Sequence, residues 1–250
     1  MNRAWIPWLP ALLLACSGPP AAAPRPAEVG VAVSFRAIGD SLRPAADVQR
    51  MVEPYRTRVA AAVSEVLATA EDRIVKARPE GALGALVADA VLESARSLST
   101  HPVDAALVND GALRAPIPAG PVTVGSIFEV MPFENTITLL ELTGVQMEAL
   151  ADEIAEGGGD PVAGMTFDLH GPELDAQDLR IDGTPVEPGR TYWVAVPDFL
   201  AGGGGSFRTL LDPITREDLP FLVRDAITQH VTRLGRLSDA RPGRIRVTGS

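Results

Sequence analysis

From residue 73 onward the apolar residues alternate between two spacings, and that alternation limits the fold more than any other feature of this chain. Runs with the period of a strand are expected at residues 73–77, 105–108, 136–142, 165–169, 179–181, 192–196 and 244–247, where β-branched and apolar residues cluster between turn formers. Between them, residues 83–98 and 145–155 carry the i, i+3, i+4 spacing of an amphipathic helix, 126–130 a helical turn, and 216–234 a closing helix. Gly157-Gly158-Gly159 stops the second of these helices. Asp182-Gly183 between two extended runs predicts a hairpin turn. Upstream, residues 47–67 place Val48, Met51, Val52, Tyr55, Val59 and Val63 on one helical face, with Pro54 expected to kink the helix or mark its restart. Alternating Val29, Val31, Val33 and Phe35 predict a short strand. No repeat of fixed period interrupts the pattern, so the expected fold is a single mixed α/β (α+β) domain over residues 29–250.

The first 28 residues cannot join that core. Arg3 supplies a positive start, residues 5–14 form an apolar run too short to span a bilayer, and Leu13-Leu14-Ala15-Cys16 resembles the bacterial lipobox. Residues 1–15 are therefore expected to be a lipoprotein signal peptide, with Cys16 as the lipidation site and residues 16–28, rich in Pro and Ala, as a semi-extended tether. An ordinary secretory signal with an incidental cysteine is the alternative. With Ser17 following the cysteine, the expected location is a membrane face of the periplasm or cell surface, on the outer membrane.

Composition narrows the chemistry. The 250 residues carry 22 Lys plus Arg against 32 Asp plus Glu, a net charge of −10, which excludes a nucleic-acid partner whose phosphates demand a basic face. One cysteine rules out an intrachain disulfide framework. No G-x-S-x-G elbow is present, and His101, His170 and His230 lie far apart without metal-ligand spacing, so they are expected as surface or loop residues. The run Gly202-Gly203-Gly204-Gly205-Ser206 lacks the lysine of a phosphate-cradling loop. It reads either as a flexible linker or as backbone that passes close beneath a ligand.

Several ordered blocks do carry a signal. They are Ala82-Leu83-Gly84-Ala85-Leu86-Val87-Ala88-Asp89-Ala90, Asn109-Asp110-Gly111-Ala112-Leu113-Arg114, the segment from Ile117 to Thr123, Pro132-Phe133-Glu134-Asn135-Thr136, Glu141-Leu142-Thr143-Gly144, and Asp198-Phe199-Leu200-Ala201 through Phe207. Together they resemble the C-terminal domain of 5′-nucleotidases and UDP-sugar hydrolases, whose corresponding motifs read N-L-G-N-L-V-A-D-A, N-G-G-G-I-R, I-P-A-G-x-I-T, P-F-G-N-T, E-L-T-G and D-F-L-A-x-G-G-D-G-Y. The motif-bearing part runs from about residue 74 to 207.

That resemblance implies a nucleoside, nucleotide or nucleotide-sugar recognition domain. Phe133 and Phe199 would sandwich the base, Asn109 would bond its edge, Arg114 would reach ribose or phosphate, and Asn135 and Arg78 would add polar contacts, with Lys76 a rival to Arg78. Each also has a purely structural reading: core aromatics for the two phenylalanines, an ion pair for Arg114, a cap or Asx turn for Asn109, and a turn organiser for Asn135. Gly205 stands where the family has the acid that holds the ribose diol, and Glu134 replaces a glycine beside the base platform. Catalysis in the family belongs to a separate two-metal phosphatase domain, so no catalytic residue, cofactor or metal is expected in this chain. The domain is expected to bind without hydrolysing alone, or to serve as the specificity part of an enzyme completed by a separately encoded metallophosphatase. A degenerate scaffold that has lost its ligand is the remaining alternative.

Overall fold

The computed structural model describes residues 45–248 other than 172, 173 and 240–242, together with the isolated residues 39 and 43. The signal peptide, Cys16, the tether and the strand expected at 29–35 all lie outside the described residues. In chain order the elements are α1 (Ala46–Val63), β1 (Val66–Ala70), α2 (Ala82–Leu98), β2 (Val103–Leu107), β3 (Gly120–Thr123), α3 (Val124–Val130), β4 (Thr136–Thr143), α4 (Gly144–Glu156), β5 (Val162–Ala163), β6 (Met165–His170), β7 (Asp175–Ile181), β8 (Thr184–Pro185), β9 (Thr191–Pro197), α5 (Asp198–Ala201), β10 (Thr215–Leu222), α6 (Val223–Leu234), β11 (Arg236–Leu237) and β12 (Ile245–Thr248).

A five-stranded sheet ordered β10-β4-β9-β2-β5 is the centre of the domain. Its pairings are antiparallel except for β2 beside β9. Side chains alternate across it. Ile137, Leu139, Trp193 and Ala195 face one buried cluster with α2, α3 and α6, while Leu140, Leu142, Val194 and Val196 face a second with α4, β6 and β7. Burial on both faces explains why β4 and β9 read as nearly unbroken apolar runs. Two smaller sheets, β11-β1-β3 and β12-β6-β7-β8, flank it. The Asp182-Gly183 turn has φ of 46° and 78°, the positive pair of a tight hairpin between β7 and β8.

Three expectations change. The helix expected at 216–234 begins only at Val223, because residues 215–222 form the edge strand β10 along β4. Pro220 is tolerated there since the register shifts between Leu219 and Leu222 and an edge strand can forgo a donor. The segment at 73–77 contributes a single bridge, Ile74 to Ile117, instead of a strand. Helix α1 runs through Pro54 unbroken and stops at Val63, leaving Val66 and Leu67 to β1.

Local chemistry sets the helix starts around the site. Thr143 caps α4, accepting from the Gln146 N–H at 3.2 Å while Gln146 Oε1 accepts from the Thr143 N–H at 2.9 Å. The next residue must be glycine: a Cβ on Gly144 would lie 2.1 Å from the carbonyl oxygen of Glu187.

Candidate functional site

Three loops adjoin the inner strands β2, β4 and β9 at one end of the central sheet and converge on a cavity of about 220 Å³ lined by Asn109, Gly111, Ala112, Phe133, Asn135 and Phe199. Phe133 is 43% exposed and Phe199 50%, whereas Phe167, Tyr192, Trp193 and Phe207 are buried in the core. Two large apolar rings left open on one hollow fit a binding platform better than a core.

Each ring has its own mount. Phe199 belongs to the one-turn helix α5, and the glycine run folds back beneath it through Gly204 N–H to Phe199 O at 2.8 Å. A Cβ on Gly204 would fall 2.4 Å from the Phe199 ring carbon Cζ, so the linker reading of the glycines gives way to close passage beneath the ring. Gly204→Ala is expected to swing the ring aside at little cost in stability, since the end of a side chain can move where backbone cannot. A ligand that stacks there would lose roughly tenfold in affinity, within the range for one base–aromatic stack. Calorimetric titration beside thermal melting reads both quantities.

Phe133 lies on the loop between α3 and β4. Its carbonyl accepts from Arg224 Nη1 at 3.2 Å, and the Asn135 carbonyl accepts from the Val223 N–H at 2.9 Å, so the first turn of α6 holds the loop. Arg224 is buried, with its guanidinium 4.1 Å from the centre of the Phe128 ring. A cation in the first turn opposes the helix dipole, which marks it as serving the loop rather than the helix. The sequence does not reveal this role, because a helix expected from residue 216 places Arg224 in its interior instead of at its start.

The Asn135 amide donates to Asp198 Oδ1 at 2.6 Å, tying the Phe133 loop to the start of α5. Its side chain is thus a strut between the two ring-bearing segments. Asn109 precedes a 3-10 turn at Asp110–Ala112 but makes no side-chain cap bond, so the capping reading fails and its amide is left at the cavity wall.

The other two expected residues lie elsewhere. Arg114 donates to the Gly111 carbonyl at 3.3 Å and faces an adjoining depression of about 190 Å³ with Arg73 and Lys76. Lys76 is paired with Asp110 at 3.1 Å. Arg78 is turned away, bonded to the Gly157 carbonyl. Of the three histidines, His230 is the exception to the surface expectation: its side chain is 10% exposed and bonds Glu93 at 2.6 Å.

Beneath the Asn109 loop, Asp160 Oδ1 accepts from the Asp110 N–H at 2.7 Å. Burial pushes the Asp160 carboxyl above its ordinary value, against that hydrogen bond and the charge of Arg78. A raised folded-state value means stability held at low pH and lost as the group ionises. Asp160→Asn keeps an acceptor for Asp110 and removes the buried charge. The variant is expected to melt above the wild type at neutral pH, with the difference closing as pH falls below about 4, where the carboxyl is neutral in both folded and unfolded chains. A pH series of melting curves measures it.

Of the larger depressions, two illustrate why size alone carries little. One, of about 480 Å³, lies between α2 and the end of α6, but its Arg244 and Asp89 already pair with each other. The other, of about 350 Å³, is lined by Glu148, Asp152 and Asp178 with nothing to attract a ligand beyond acidity. Among the described residues, no group of three or more His, Cys, Asp or Glu gathers to hold a metal.

Comparison with known proteins decides the family. The profile described as "5'-nucleotidase, C-terminal domain" matches residues 60–212. The chain belongs to this family. It is 30% identical over 179 residues to the trifunctional nucleotide phosphoesterase YfkN of Bacillus subtilis, covering 66% of this chain and 12% of that protein. Identity to UshA of Escherichia coli is 31% over 112 residues, 43% of this chain and 20% of UshA. Among solved structures, a 5'-nucleotidase precursor from Thermus thermophilus superposes with a TM-score of 0.69 at 28% identity, over 80% of this chain and 43% of that one. This 5′-nucleotidase C-terminal domain thus spans less than half the length of each of these relatives. Its three sheets and six helices are the mixed α/β fold that the sequence motifs implied.

Proposed function

We propose that the domain recognises a nucleoside or nucleotide, nucleotide-sugars included, with the base held between Phe133 and Phe199. The observation that supports this most is the pair of exposed rings on one cavity, with Asn109, whose amide is unbonded among the described residues, at its wall. Stacking tolerates different bases, whereas an amide edge offers one donor and one acceptor for orientation. Arg114 sits one depression away, behind Gly111, where ribose or phosphate leaving the aromatic slot would meet Arg73 and Lys76 as well. Asn135 serves as the strut described above, and Arg78 has no part in the site.

Calorimetric titration of the full chain with adenosine, AMP, UDP-glucose and NAD tests the reading, run beside a hydrolysis assay supplemented with zinc or manganese. Saturable binding without turnover is the expected result. Absence of binding to all four would leave a scaffold that has kept the fold and lost the ligand. Action beside a separately encoded metallophosphatase is the second reading, prompted by a relative named a nucleotide phosphoesterase. Phosphatase activity appearing only when such a chain co-purifies would establish that arrangement. Anchoring through Cys16 to a periplasmic or surface membrane face, on the outer membrane, belongs to the same proposal and is read by labelling with a radioactive fatty acid.

A further inference from the structure

Helix α1 has eighteen residues and not one of them is buried. Pro54 in its interior costs about 3 kcal/mol of helix propensity, and a helix of this length is marginal in water without a packed face. The apolar side chains do form a face. Val48, Val52, Tyr55 and Val59 are 53%, 40%, 62% and 59% exposed, and they follow one another in steps of four, three and four.

That order reads the same in both directions about the midpoint between Glu53 and Pro54. A two-fold axis across the helix at this point sets Val48 against the partner's Val59, and Val52 against the partner's Tyr55. Opposite charges flank the two ends of the stripe. Asp47 and Arg58 each immediately precede the valine at their own end of the stripe, so both lie along one edge of it. When two copies of a helix pack antiparallel about such an axis, like edges meet, and the partner's Arg58 comes level with Gln49, two positions or about 3 Å along the helix from Asp47 and within reach of its long side chain, twice in every dimer. Neither side chain has an ion-pair partner among the described residues. The Arg58 guanidinium already leans over the stripe, 5.2 Å from the centre of the Tyr55 ring.

We propose that α1 is an interface between two copies of this chain, paired antiparallel through this stripe. Two helices about 27 Å long bury less than a standard interface, so the dimer is weak and depends on concentration. The inference is independent of the proposed ligand.

Sedimentation velocity on the full chain, across a dilution series and under reducing conditions because of Cys16, reads it directly. A shift from monomer to dimer mass with rising concentration is expected, accompanied by a gain in helical circular dichroism. Val52→Glu should abolish the shift while leaving the melting temperature of the domain unchanged, since the residue touches no core. Asp47→Arg alone and Arg58→Asp alone should each weaken association about three- to tenfold, through two exposed ion pairs per dimer. Combining them, Asp47→Arg with Arg58→Asp, should restore the wild-type value. A chain that stays monomeric at the highest soluble concentration overturns the inference, as does a double variant that fails to recover. Monomers that bind phosphatidylglycerol vesicles through Val52 would also overturn it, and would assign the stripe to a lipid surface.

Discussion

Replacing Phe133 and Phe199 together with alanine is expected to weaken nucleoside binding by at least about a hundredfold, because each base–aromatic stack contributes roughly 1–3 kcal/mol and both faces of the slot are removed at once. Either substitution alone should cost about one to two powers of ten. The fold should survive. Both rings are about half exposed, so neither removal opens a core cavity of the kind that destabilises a domain severely. Titration with adenosine, paired with a cooperative melt near the wild-type temperature, gives the result. An unchanged affinity in the double variant would place the ligand elsewhere and remove the basis of the proposed function.

The largest effect on stability is expected at Arg244. Its Nη2 donates to both oxygens of Asp89 at 2.7 and 2.8 Å, its Nη1 to the Val162 carbonyl at 2.6 Å, and its backbone N–H to Glu80 at 2.8 Å. One side chain, 15% exposed, therefore clasps the start of β12 to α2 and to β5. Glu80 Oε1 is buried beside it without a partner among the described residues, so none of them offers a spare donor to take over. Arg244→Met keeps the apolar stem and leaves Asp89 and the Val162 carbonyl unmatched. Because Asp89 is 38% exposed and water can take up part of the lost bonding, the cost is about 1–3 kcal/mol, which in a domain of this size lowers the melting temperature by roughly 5 °C. Asp89→Asn added to Arg244→Met should recover part of the loss by removing the stranded charge. A drop of less than about 2 °C in the single variant would show the clasp to be idle.

How much of this was legible in the sequence follows from where each signal comes from. Strands β4 and β9 and helices α2 and α4 stand out because burial on both faces, or on one helical stripe, writes a strong periodic pattern. Strand β10 did not stand out. It lies at a sheet edge where polar residues are tolerated, and Arg216, Glu217 and Asp218 before α6 imitate the opening of a helix. Pairing along β4 decides its conformation, and pairing between distant segments leaves no local trace. Strands β3 and β11 are too short to carry a period at all.

In the site, the aromatic pair was legible through the motifs that contain it, and so was Asn109. What the motifs could not convey was the support: Arg224 beneath the Phe133 loop, Asp160 beneath Asp110, and Asp198 as the acceptor for Asn135. Each of these acts across 50 to 91 positions of sequence, joining segments that only the folded sheet brings together. The same distance explains Arg78. The family resemblance implied a polar contact from it, but the Gly157 carbonyl captures it first.

The hydrogen bond from Asn135 to Asp198 has a consequence for selectivity. It fixes how far apart the two ring-bearing segments stand before any ligand arrives, as a spacer fixes the jaws of a gauge. A gauge of this kind measures thickness and ignores outline. Under the proposed reading, flat heteroaromatic rings of different shape pass equally well, while a puckered or branched molecule of the same volume is refused. The choice among bases then falls to the single amide of Asn109, and the width of the opening was settled when the chain folded.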